Sequence, residues 1–180
     1  MIKQIRLKTE RLEIVPQSLE YLESTHAYAC DRANMRFMIF LPVDSIEETA
    51  EFLRGAETEW KSENPHDLEC AILCKGVHVG GINLELLDNG SAEMGWCLAK
   101  SAQGNGYAVE AARALVEWAR ESLGVKKIIA HCDSENVPSW KTMEKLGMKR
   151  VSCYGGRHNK INPDEERQEF LYEMPAAVAS

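Results

Sequence analysis

The sequence predicts one α/β domain on a central mixed, mostly antiparallel sheet of about seven strands, flanked by about four helices. Three observations predict it. Strand-length stretches of alternating apolar residues interchange with longer stretches in which apolar residues recur every three or four positions. Three strand-like stretches follow one another directly, two of them joined by Asp88-Asn89-Gly90, a hairpin signal that makes them antiparallel neighbours. A chain of 180 residues suffices for one domain with a sizeable core and is short for two.

Each element follows in order. "IRLKTERLEIV" (5–15) places Ile5, Leu7, Leu12 and Ile14 as a first strand with an irregularity near Thr9. "SLEYLESTHAYACDRA" (18–33) has Leu19, Leu22, His26 and Ala29 at helical spacing. The next helix opens on the capping box Ser45-x-x-Glu48, runs through Ala50, Leu53 and Trp60, and stops at Asn64-Pro65. Strands are expected over 68–74, 78–87 and 92–98. A helix from about 106 buries Ala108, Ala111, Ala112, Leu115, Ala119 and Leu123 and ends at Gly124. A strand over 126–132, a helix over 137–146 stopped by Gly147, and strands near 148–155 and 167–174 complete the set. Residues 175–180, "PAAVAS", read as a frayed tail.

Composition narrows the function. With 44% hydrophobic and 27% charged residues the chain has the balance of a soluble globular protein. No apolar run is long enough to span a bilayer, and "MIKQIRLKTERLEI" is too charged for a secretory signal. Six cysteines without a CxxC argue for reduced thiols in the cytoplasm and against a disulfide framework. A net charge of −7 argues against a nucleic-acid groove and tolerates a cationic substrate.

The stretch "AQGNGYAVEAARALVEWARESLG" (102–124) sets glycines 104 and 106 directly before the long helix. A helix start offers unbonded N–H groups and a positive dipole end, and glycine removes the Cβ that would hold an anion away. The alternative is a turn that only redirects the chain. A Walker loop is excluded because no Lys-Ser or Lys-Thr follows Gly106. A dinucleotide fingerprint is excluded because Val109 stands where its third glycine belongs.

Gln103-Gly104-Asn105-Gly106-Tyr107-Ala108 resembles the pyrophosphate-binding motif of the GNAT superfamily of acyl-CoA-dependent N-acetyltransferases. "TERLEIVP" (9–16), "AEMGWCLAKSAQGNGYAVEA" (92–111) and "NVPSWKTMEKLGMKR" (136–150) are similar, in order, to segments of its RimJ/RimL-like branch, with Met148 replacing the usual Phe. The resemblance implies a sheet whose central strands splay apart around acetyl-CoA. It implies that the backbone of Trp96, Cys97 and Leu98 pairs with the pantetheine arm. The amides from Gly104 to Ala108 would hold the pyrophosphate, and Asn136 would bond near the pantetheine. It implies an acceptor amine that is a small molecule or a protein N-terminus, handled by a monomer or homodimer; no metal is expected, because no His or Cys spacing fits a zinc site.

The chemistry itself needs a group to take the amine proton, a donor for the oxyanion and a proton for the departing thiolate. Glu93 shares a strand face with Gly95 and Cys97, and is either the general base, as the related enzymes imply, or a structural carboxylate. Ser139 matches the serine that the related enzymes present to the cofactor sulfur, or is a helix-start serine bonding a local amide. The tyrosine acid of many GNAT enzymes falls on Met143, which has no proton to give; Tyr107 and Tyr154 are weaker substitutes. In "His131-Cys132-Asp133" alternation turns Cys132 away from its neighbours, so a core thiol is expected. The acceptor side is expected from residues 30–66 and from a turn-rich 150–168 loop. The competing function is a catalytically silent acyl-CoA sensor or interaction module on the same fold.

Overall fold

The computed structural model describes residues 5–174, so the expected frayed tail lies outside them. The strands are β1 (Leu7–Lys8), β2 (Leu12–Pro16), β3 (Asp67–Cys74), β4 (Val77–Leu86), β5 (Ser91–Leu98), β6 (Lys127–Asp133), β7 (Lys149–Asn159) and β8 (Asn162–Met174). The helices are α1 (Leu22–Ala29), α2 (Ile46–Glu59), α3 (Tyr107–Leu123) and α4 (Val137–Lys145). The eight strands form one sheet in the order β1-β2-β3-β4-β5-β6-β8-β7. Every neighbouring pair is antiparallel except β5 and β6.

The eighth strand arises because the expected first strand is two. Thr9 N–H bonds the Leu12 carbonyl at 2.9 Å, and the chain folds back to pair Leu7 with Ile14. The irregularity near Thr9 is therefore a turn, fixed by Thr9 Oγ1 donating to Glu110 at 2.6 Å. The helix expected over 18–33 shortens to a 3-10 turn at Leu19–Tyr21 followed by α1. At α2, Ser45 accepts from Glu48 N–H at 3.2 Å, while the Glu48 carboxylate takes Asp44 N–H at 3.3 Å, so only half of the capping box forms.

The largest correction is at the C-terminal end. The expected 150–168 loop is mostly strand: β7 and β8 pair from Lys149↔Glu173 to Asn159↔Asn162, with three irregularities of register. Internal pairing accounts for the charged appearance. The fully buried Asp133 accepts from Arg167 Nε at 2.8 Å and Asn159 Nδ2 at 2.6 Å. Arg157, also buried, donates to Glu169 and, at 2.7 Å, to the Phe37 carbonyl.

The main core fills one face of the sheet. Ile14, Leu68, Ile72, Ile82, Leu84, Ala92 and Met94 meet Ala111, Ala112, Leu115 and Ala119 of α3 and Met143 of α4. Small alanines let α3 lie close to the sheet, where apolar burial stabilises by about 25 cal/mol per Å². On the other face α1 packs on β4 and α2 on β3, and a smaller cluster joins Tyr28, Ala29 and Met35 to Cys97. That division leaves the Glu93, Gly95 and Cys97 face of β5 turned toward the α1–α2 side. Among the described residues no helix is long and apolar enough to cross a membrane.

Candidate active site

The parallel ladder between β5 and β6 is short. It pairs Ser91↔Lys127, Ala92↔Ile128 and Glu93↔Ile129 and then stops. Beyond it β6 continues with β8 as far as Asp133↔Glu169, while Met94–Leu98 of β5 stays paired only with β4. The strands thus part after Glu93, and the backbone edge of Trp96 and Cys97 faces a gap. The Leu98 carbonyl is already engaged, accepting from Asn34 Nδ2 at 3.0 Å and Gln103 Nε2 at 3.2 Å.

Gln103 itself braces the following loop, since its Nε2 also donates to Asn34 Oδ1 at 2.6 Å. Asn105 Nδ2 closes the loop on the carbonyls of Ala102 and Gln103, and Arg11 Nη1 donates to the Asn105 carbonyl at 3.0 Å. Gly104 and Gly106 have φ of +78° and +80°, the left-handed region that favours glycine. A Cβ on Gly104 would meet nothing within 4 Å. Gly106 precedes α3 without any side-chain cap, and Glu110 N–H to Gly106 O at 3.1 Å is a first helical bond. The N–H groups of Tyr107, Ala108 and Val109 come before it, at the positive end of a 17-residue helix. The loop thus offers unbonded N–H groups to an anion, and the open strand edge offers unpaired backbone groups.

Glu93 stands where the strands part. Its Oε1 lies 2.8 Å from His131 Nδ1, across the gap. This hydrogen bond keeps His131 protonated to a pH above its usual value, outweighing partial burial. Reading the sequence missed this pair, because only the β5–β6 register shows that His131, two residues beyond Ile129, shares Glu93's face. Tyr154 packs edge-on against the His131 ring at 6.4 Å. Burial and a hydrogen bond with Glu169 push its hydroxyl up to about 12.

The other predicted positions separate into two groups. Asn136 caps the start of α4 without a side-chain bond, and Ser139, one turn on, lies close enough to the Cys132 thiol to oppose the effect of its burial. Cys132 is buried, and burial holds its thiol up at about 11. Both residues stand at the β6 end of the gap. Tyr107 turns away: its hydroxyl accepts from Cys74 Sγ at 3.4 Å, and Arg11 lies over its ring. Met143 is a core residue, 1% exposed. Cys97 contacts Met35 Sδ at 3.6 Å, and burial pushes its thiol up to about 12. All six cysteines are free.

Comparison with known proteins bears on this geometry. Residues 11–149 match the family described as acetyltransferase (GNAT) domain. Over 62 residues the chain is 43% identical to the uncharacterized N-acetyltransferase YnaD of Bacillus subtilis (strain 168), covering 34% of this chain and 36% of that protein. The matched stretch thus spans about a third of the length of that curated relative. The crystal structure of a GNAT-family acetyltransferase from Bacillus anthracis superposes with a TM-score of 0.80 at 25% identity, covering 95% of this chain and 98% of that one. RimL, a ribosomal L7/L12 alpha-N-protein acetyltransferase in complex with coenzyme A, superposes with a TM-score of 0.83 over 96% of this chain and 98% of its own. At 17% identity that likeness is of fold alone.

Proposed function

The chain belongs to the acetyltransferase (GNAT) family, and on that premise we propose that it is an acetyl-CoA-dependent N-acetyltransferase acting on a primary amine by direct attack. The acceptor is a small-molecule amine or a protein N-terminus. One observation carries the reading: the β5–β6 ladder ends at Glu93↔Ile129, leaving an open strand edge between the uncapped start of α3 and a half-exposed carboxylate.

Acetyl-CoA supplies an acetyl group activated as a thioester. The amides at the start of α3 and the turn at Gly104 would hold its phosphates, where the helix dipole favours anions. The backbone of Trp96 and Cys97 would bond the amide arm, with Asn136 facing it from α4. Glu93 is the residue placed to take the amine proton, because it projects from the last paired position into the gap. A backbone N–H of the parted β5 edge is placed to donate to the oxygen that gains charge. Ser139, beside Cys132, is the hydroxyl on the opposite wall that would pass a proton to the thiolate.

A thiol-release assay with acetyl-CoA against spermidine, kanamycin, lysine and an octapeptide with a free N-terminus tests the reading. Turnover with at least one amine is expected. Tight acetyl-CoA binding without turnover on any amine would replace the enzyme with a silent sensor on the same fold.

A further inference from the structure

We infer that His131 is a positioning residue: it holds the Glu93 carboxylate from across the strand gap, and its charge state sets how tightly that carboxylate is held. The inference rests on the acetyl-transfer reading above and adds a residue to it. Glu93 and Ile129 are the last backbone pair of the parallel ladder, so the Glu93–His131 bridge is the first link beyond it. It spans the strands at the closed end of the gap. Only Oε1 is engaged, by His131 Nδ1 at 2.8 Å. No other hydrogen bond reaches the Glu93 carboxylate among the described residues, which leaves Oε2 open to an amine.

Nδ1–H donates to Glu93 whether or not Nε2 carries a proton, so the orientation persists through the titration while the charge does not. As imidazolium, His131 grips the carboxylate in a charge-assisted hydrogen bond. As neutral imidazole it leaves Glu93 equally well oriented but less tightly held, free to engage the amine. The surrounding charges place this change. Glu93 on β5 favours the imidazolium most, partial burial opposes it, Glu169 on β8 favours it and Arg157 on β7 opposes it. On β6 itself, Asp133 is compensated by Arg167, and the Tyr154 hydroxyl stays protonated beside the ring. The acid-side fall in rate therefore belongs above the ordinary imidazole value of about 6.5.

The test uses the full chain in two arms. In the first, NMR follows the His131 imidazole through a pH titration, assigned with His131→Asn, in wild type and Glu93→Gln. A titration point above that of a free imidazole, falling when Glu93 is neutralised, is expected; the same point in both proteins overturns the pairing. In the second, thiol release from acetyl-CoA is followed against pH with the best amine of the panel above. His131→Leu, which removes the donor, should lower kcat roughly tenfold to a hundredfold at every pH without changing acetyl-CoA affinity. His131→Asn, an uncharged donor, should recover most of kcat at high pH and lose the inflection. Unchanged rate and pH profile in His131→Leu overturn the inference. No turnover with any amine overturns the acetyl-transfer reading and the catalytic role with it, while the NMR arm still reports whether the pair exists.

Discussion

Arg11 grips Glu110 with Nη2 2.6 Å from the carboxylate, joining the β1–β2 turn to the first turn of α3. Thr9 Oγ1 and Arg11 N–H bond the same carboxylate, so one acid carries the link between the chain's N-terminal hairpin and the candidate phosphate loop. Partial burial pushes this carboxyl up, but hydrogen bonds from Thr9 and Arg11 overcome it and hold it below the usual range.

The sign of that shift gives a stability prediction. A carboxyl depressed in the folded state stabilises above its unfolded value of about 4.3 and loses the contribution as pH falls through its folded value. Glu110→Gln should therefore melt below wild type at pH 7, and the gap should close toward pH 3. A gap of constant size over that range would contradict the assignment.

The two ends of α3 offer a matched comparison for the loop. Gly106 and Gly124 both sit in the left-handed region, at φ of +80° and +67°. Alanine at either position should cost stability by a similar amount, about 1 kcal/mol, from backbone strain. Only Gly106→Ala should weaken acetyl-CoA binding in calorimetry, by tenfold or more, because in the proposed binding mode only that end meets the phosphates. Equal affinities in the two variants would remove the loop from the binding site.

Glu93→Gln should lower kcat on the order of 10²–10⁴-fold with acetyl-CoA affinity nearly unchanged. Its effect on melting should depend on pH in the opposite sense to Glu110. His131 titrates above its usual value because of Glu93, so the pair stabilises fully below the unfolded imidazole value of about 6.5. That contribution is lost as pH rises through the folded value, so the melting difference should be larger at pH 6 than at pH 9. Normal turnover with a lowered melting temperature would assign Glu93 to structure alone.

Transfer should be direct, without an acetyl-cysteine. Cys97 is the thiol on Glu93's strand face, and burial holds it at about 12, where thiolate is scarce. Initial-rate plots in both substrates should intersect, and Cys97→Ala should keep most activity. Parallel lines, or acetylated Cys97 trapped without amine, would indicate a ping-pong route.

The helical half of the site was legible because its signals are local. Gly104, Gly106 and the alanine stripe of α3 specify a glycine loop and a buried-face helix without reference to distant residues. The gap was legible only through resemblance, since nothing local in Trp96-Cys97-Leu98 states which strand lies beside it. His131 was hidden for the same reason, its partner being fixed by the parallel register Glu93↔Ile129. The inner half of the β7–β8 hairpin was read as loop because Arg157 and Arg167 look like surface charges. In the fold Arg157 pairs with Glu169, and Arg167 with the buried Asp133.

The central claim is that the parted β5–β6 edge and the start of α3 together receive acetyl-CoA. Hydrogen exchange with and without acetyl-CoA tests it most directly. Slowed exchange is expected in two segments, Trp96–Leu98 and Gly104–Ala108, with little change in α2 or in the ladder at Ser91–Glu93. Binding that leaves both segments unprotected, or that protects a different face of the sheet, would contradict it.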